Sequence, residues 1–147
     1  MKKYEFTGET KEIRLLFRTA TLHRIRATVA FGIVEVGDLG GWIEKEENLS
    51  HEGKAWVWGN AEVFSASHVL VIGAIGSRND FTTFYRDKDN EITVKCGCFL
   101  GKIDRFLEKV TQTHGDSEYA LVYRAAVEVA KLQIDLSGEA PKDADEE

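Results

Sequence analysis

Residues 53–76 read Gly-Lys-Ala-Trp-Val-Trp, Gly-Asn-Ala-Glu-Val-Phe, Ser-Ala-Ser-His-Val-Leu and Val-Ile-Gly-Ala-Ile-Gly, four six-residue units laid end to end. Gly53, Gly59 and Ser65 open the first three units and Val71 the fourth; Ala55, Ala61, Ser67 and Gly73 follow two places on, then Val57, Val63, Val69 and Ile75. This is the pattern a parallel β-helix requires, because tight corners take small side chains while flat faces stack branched ones inward. A rival reading makes Gly59-Asn60 the two-residue turn of a β-hairpin. That hairpin explains only half of the ladder, whereas the units on either side keep the same period. The ladder therefore predicts a β-helix stub of little more than one coil. Since at least about three repeats must stack for stability, flanking segments or another subunit must seal it. Trp56, Trp58, Glu62 and Phe64 fall at the outward positions, and three aromatics on one exposed strip mark an oligomer or partner surface.

Working upstream, Gly40-Gly41 precedes Trp42 and Ile43 in a glycine-rich segment. It carries neither the Walker pattern nor the spaced dinucleotide fingerprint, so it is read as a tight turn that lays Trp42 and Ile43 over the open end of the stub. Residues 1–34 hold short apolar segments separated by charge, which predicts two or three short strands. The basic run from Arg18 to Arg26 has two readings, a solvated strand face or an anion pocket.

Downstream, Gly76-Ser77-Arg78-Asn79-Asp80 breaks the ladder. Phe81–Arg86 and Glu91–Phe99 alternate well enough to form a β-hairpin about the turn at Asp87–Asn90. Ile103, Phe106, Leu107 and Val110 make one apolar helical face, stopped by Gly115. Asp116 or Ser117 then caps a second helix to about Gln133, with Ala120, Tyr123, Val127, Ala130 and Ile134 as its buried face. The chain is thus read as α+β. Residues 1–75 are β-rich and end in the β-helix stub, 76–136 form a β-hairpin plus two helices, and 137–147, acidic and carrying the one proline, are a disordered tail.

Composition narrows the function classes. At 147 residues, with 43% hydrophobic and 30% charged residues, the chain has the balance of a soluble globular domain. No apolar run reaches the roughly 20 residues a membrane helix needs. The opening residues lack the apolar core of a secretion signal, so a cytoplasmic location is expected. A net charge of −6 argues against nucleic acid as the main partner. Cys96 and Cys98 lie one residue apart on a predicted strand and point to opposite faces, which disfavours a disulfide; no second pair completes a zinc site. They are read as small buried hydrophobes. No cofactor or metal is expected.

Among the histidines, His68 on the ladder invites comparison with the general base of hexapeptide-repeat acyltransferases, but this ladder is too short for that chemistry. His114 before Gly115 suits a helix C-terminus. With no catalytic constellation, a binding site is expected instead. Arg78 and Asn79 combine a forked guanidinium with an amide beside a glycine turn, a set suited to phosphate or carboxylate. Phe81, Phe84, Tyr85 and Phe99 offer surfaces for a base to stack on. Arg124 lies next to Tyr123, close to the buried stripe of the second helix, where a charge needs an anionic partner. That partner is either a ligand or one of Asp80, Glu118 and Asp104.

The segment Gly37–Glu44, Asn48–Gly53 and the Gly-x-Ala-x-Val units that follow resemble bacteriophage and prophage proteins in which the number of units varies. Ile75–Asp80, Cys96–Phe99 and Thr113–Gly115 are similar to a segment of the same group, and the match spans residues 4 to about 135. The hairpin and two helices, with an aromatic at Phe99 and an arginine in the last helix, also resemble the Thoeris anti-defence proteins of phages, from which the ladder departs. Those are small oligomeric sponges that sequester a cyclic ADP-ribose signal without cleaving it. The resemblance implies that Phe99 stacks on a base and Arg124 holds phosphate. Two functions are therefore expected: a non-enzymatic, homo-oligomeric sponge for a small phosphorylated nucleotide in the bacterial host, or a structural module whose β-helix docks a partner protein.

Overall fold

The computed structural model describes residues 2–136. The acidic segment 137–147, expected to be a disordered tail, lies outside the described residues. Strands β1 (Tyr4–Arg14), β2 (Thr19–Ala27), β3 (Leu39–Ile43) and β4 (Glu62–Val63) form one sheet in that order. Strands β5 (Val69–Ile75), β6 (Asp80–Arg86), β7 (Ile92–Cys96) and β8 (Phe99–Lys102) form a second, antiparallel sheet. Helices α1 (Ile103–His114) and α2 (Glu118–Gln133) complete an α+β chain.

The first 34 residues expected as two or three short strands form two long ones, paired antiparallel from Tyr4 opposite Ala27 to Arg14 opposite Thr19. Lys3, buried beside them, donates through Nζ to the carbonyl of Ala55 and so ties the start of β1 to the segment before β4.

The ladder does not wind as a β-helix. Its first two units keep the expected inward positions, and Ala55, Val57, Ala61 and Val63 are all buried. They lie beside β3 through Gly41 N–H to Val57 O, Trp42 N–H to Ala61 O and Glu44 N–H to Val63 O. Only Glu62 and Val63 form a regular parallel pairing, opposite Trp42 and Ile43. Gly41 permits this approach, since a Cβ there would stand 2.8 Å from the Ala61 carbonyl oxygen. From Val69 onward the remaining units become β5 and pair antiparallel with β6. The physical reason is competition: a stub of little more than one coil has few stacked neighbours, whereas the hairpin β6–β7 offers a full antiparallel edge.

That change of course inverts part of the expected surface. Trp56 is only 1% exposed and packs edge-on against Tyr4 and Phe31 at centroid distances of 6.3 and 5.3 Å. It is core, not partner surface. Glu62 is also buried and is paired with Lys11. Trp58 and Phe64, the other two aromatics of the strip, are half-buried, Trp58 near Tyr85 and Phe64 beneath Arg86.

Strand β6 joins the two halves. Phe84 belongs to the core beneath the helices with Val94, Phe106, Val110 and Val127, while Tyr85 belongs to the core of the first sheet with Ile43, Trp56 and Val57. Alternation along a strand sends neighbouring side chains to opposite faces, so β6 is buried on both. The helices form as expected. Ser117 caps α2 by accepting from Ala120 N–H, and Gly115, at φ 58°, ends α1 with its N–H on Thr111 O. All five expected α2 core residues are buried. Among the described residues, no helix is long and apolar enough to cross a membrane.

Candidate ligand site

The turn between β5 and β6 brings Arg78 against the turn between β7 and β8. The predicted second strand of the hairpin, 91–99, breaks at Gly97, whose φ of 58° is a conformation that favours glycine. The Arg78 guanidinium lies over this glycine; a Cβ built there would meet Nη1, Cζ and Nε at 3.5 to 3.9 Å. On the other side, Gly76 has φ 79° and faces the Tyr123 hydroxyl so closely that any Cβ would overlap it. Two glycines thus fix the loop that carries Arg78.

Between this loop, β8 and the helices lies a cavity of about 240 Å³, lined in part by Arg78, Phe99, Phe106, Lys109, His114 and Tyr123. Phe106 forms the centre of its wall, 5.5 Å from the Phe99 centroid and 5.8 Å edge-on from Tyr123. His114 stacks against Tyr123 at 5.6 Å. Burial, together with the neighbouring Cys96 thiol, raises the Tyr123 phenol above its ordinary pKa and keeps it neutral. Arg78 and Lys109 stand exposed at the rim. Neither has a hydrogen bond or salt bridge among the described residues, so both charges are available to an anion.

Of the residues expected at the site, Arg78 and Phe99 are brought together. Asn79 is not among the residues lining this cavity; it occupies a left-handed turn position at φ 49° and closes the turn with its N–H on Gly76 O at 3.1 Å. Arg124 is turned toward the α1–α2 corner, where Nη2 donates to Gly115 O at 2.9 Å and Thr111 Oγ1 at 3.2 Å. A weak ion pair with Asp116 at 3.9 Å replaces the expected Asp80, Glu118 or Asp104. Asp80 is held instead by Lys54 at 2.9 Å. Cys96 and Cys98 are free thiols, and Cys98 is exposed rather than buried because the strand ends before it. Lys109 was not evident from sequence, although it follows Phe106 by three places and so shares its helical face. His68 is 4% exposed, and its Nδ1 accepts from Phe64 N–H. Burial first, then the Arg86 charge, lowers its pKa to about 4. It is a neutral structural imidazole.

Among the described residues no group of three or more His, Cys, Asp or Glu is placed to hold a metal ion. The fold and cavity define an α+β protein with an aromatic pocket rimmed by unneutralised cations. No protein-family model, curated protein or solved structure matches the chain.

Proposed function

We propose that the chain is a non-enzymatic binding protein that captures a small phosphorylated nucleotide in the cavity between Arg78 and Phe99. The observation that carries this reading is the conjunction, in one cavity, of an aromatic wall and two unpaired cations on a chain of net charge −6. Phe99, backed by the buried Phe106, supplies a face for a base, which stacking stabilises by about 1–3 kcal/mol. Arg78 offers a planar fork to phosphate and Lys109 a mobile point charge. The phage anti-defence setting, sequestration without turnover and a bacterial host rest on the resemblance of the hairpin and two helices, with Phe99 and Arg124, to the phage sponges.

The test is a thermal-shift screen against cyclic and linear nucleotides, followed by chromatography of ligand released on heating. A ligand present at 100 times its dissociation constant adds about 2.7 kcal/mol of apparent stability. A shift with intact ligand recovered supports the sponge, and an altered ligand makes the protein an enzyme. No shift with any nucleotide leaves the structural-module reading in front.

One observation favours self-association by a route other than the ladder. Val122, Ala125, Val129 and Leu132 are exposed on α2 at spacings of three, four and three, the seam of a coiled coil. A second copy of α2 is the self-complementary occupant of that seam. Light scattering checks this: Leu132→Glu is expected to convert an oligomer to a monomer that keeps its helix content, and a wild-type monomer would refute it.

A further inference from the structure

A second cavity, of about 420 Å³, lies on the other side of the Gly97–Cys98 turn, between the two sheets. Phe31 and Trp58 face it from the first half of the chain, and Phe81, Thr83, Lys95 and Arg78 from the second. Lys95 stands opposite Thr83 on the central strand pair β6–β7 and is only 9% exposed. It has no hydrogen bond and no salt bridge among the described residues. Its stem is packed away while the unpartnered ammonium keeps contact with solvent, so the charge is presented to the cavity rather than sealed in the core.

Nothing on the protein's side supplies the missing anion. Burial lowers the pKa of Lys95, and the groups whose charges bear on it are the thiols of Cys98 and Cys96, with no carboxylate among them. The one carboxylate lining the cavity, Asp80, is held by Lys54 Nζ at 2.9 Å and accepts from Phe81 N–H at 2.7 Å. With the Lys54–Asp80 pair neutral, Arg78 and Lys95 leave two uncompensated positive charges in a partly enclosed space. Low-dielectric walls strengthen the attraction of such a space for an anion.

We propose that this cavity is a binding site for a phosphorylated small molecule, whose phosphoryl oxygens are held by Lys95 from within and by Arg78 from the rim. Lys95 contributes a compact charge with several donors, and Arg78 the planar fork that suits two oxygens of one phosphate. Phe81 and Trp58 bound the remaining space and suit an apolar or aromatic body on the ester. Arg78, Gly97 and Cys98 line both cavities, so an anion here lies beside the nucleotide pocket proposed above. The phosphate site itself rests on Lys95 and does not require that reading.

Calorimetric titration with inorganic pyrophosphate, a probe without a base, tests the site. Wild-type protein is expected to bind it with an affinity that falls as salt rises. Lys95→Met, which keeps the stem and removes the charge, should weaken binding about ten- to a hundredfold, the loss of a charge-assisted hydrogen bond. Arg78→Ala should weaken it too, and Phe99→Ala should leave it unchanged. If Lys95→Met proves misfolded by circular dichroism, a second measurement serves: reductive methylation of wild-type protein followed by peptide mass spectrometry. Pyrophosphate should then protect Lys95 selectively. Pyrophosphate binding that is absent, or equal in wild type and Lys95→Met, or a Lys95 methylated at the same rate with and without pyrophosphate, overturns the site. Nucleotide binding that is lost in Phe99→Ala, together with pyrophosphate binding that is absent or unchanged in Lys95→Met, would overturn the phosphate site and leave the nucleotide pocket standing. Pyrophosphate binding that requires Lys95, with no nucleotide bound, would do the reverse.

Discussion

Replacing Trp56 by Ala separates the observed fold from a ladder with outward-facing aromatics. The ring is 1% exposed, and Gly40 lies flush against it, so that a Cβ on Gly40 would stand 2.7 Å from Trp56 Cζ2. An aromatic side chain of this kind buries about 150–250 Å². At about 25 cal/mol per Å² that is about 4–6 kcal/mol of transfer free energy. Measured truncations of buried Phe and Trp fall at about 3–5 kcal/mol, and about 4 kcal/mol is taken here. With a urea m-value of about 2 kcal/mol/M, the midpoint should move down by about 2 M. At about 3–4 °C per kcal/mol for a chain of this size, Tm should fall by about 12–16 °C. The half-buried Trp58, changed to Ala, should cost less than half as much. Gly40→Ala provides an internal control, because its added methyl clashes with Trp56 and, at 2.8 Å, with Ile25 Cγ1, and loss of the ring relieves the first of these clashes. The double variant Gly40→Ala with Trp56→Ala should therefore be less destabilised than the sum of the singles, by about 1 kcal/mol or more. Urea titrations of the four proteins decide the matter. A Trp56→Ala variant with an unchanged midpoint and an altered oligomeric state would refute the core assignment and restore the exposed strip.

His68 has a folded-state pKa of about 4 against the ordinary 6.5, so the unfolded chain takes up its proton first as pH falls. Its contribution is present above pH 6.5 and is lost progressively down to pH 4, amounting to about 3 kcal/mol at most. Urea melts at pH 7.5 and 4.5 should show a smaller loss in His68→Asn, which retains an acceptor for Phe64 N–H but does not titrate; equal losses would contradict the assignment. Arg124→Ala removes donors from the last turn of α1 and should lower stability by about 1 kcal/mol, while leaving nucleotide affinity unchanged in the same thermal-shift screen. A large loss of affinity at unchanged stability would return Arg124 to the ligand. Gly76→Ala combines a left-handed backbone with overlap onto Tyr123. It should destabilise by more than about 2 kcal/mol in chemical denaturation, and a neutral outcome would show that the loop carrying Arg78 is not held as described.

The parts of the fold that sequence revealed are those ruled by local chemistry. Ser117 and Gly115 set helix ends through their own side chain and backbone, and Ala120, Tyr123, Val127 and Ala130 share a face by helical period alone. The β6–β7 hairpin announces itself through alternation and the polar turn at Asp87–Asn90. The ladder misled because a period of six specifies which side chains point inward but not which edge each strand will find. Ala55, Val57, Ala61 and Val63 do point inward; Val69 to Ile75 found β6. Trp56 followed from the same error, since its outward placement presupposed a coil with nothing on its far side. At the site, Arg78 and Phe99 were legible as chemistry beside turns, while Arg124 is held by the Gly115 carbonyl and the Thr111 hydroxyl, which only the α1–α2 corner brings near. Lys95 gave no signal because its burial depends on β7 being covered on both faces, by the helices and by the first sheet. Nothing within Ile92–Cys96 encodes that.

The position of β6 has a consequence for how the molecule can be taken apart. Phe84 and Tyr85 serve as a party wall, each side of it finishing a different room. A chain cut within the Gly76–Asn79 turn would leave the first fragment without Tyr85 and the second without β5, so neither piece inherits a closed interior. Complementation of the two fragments, rather than independent folding of either, is the behaviour such a wall imposes, and the slowest-exchanging amides of both halves should open together.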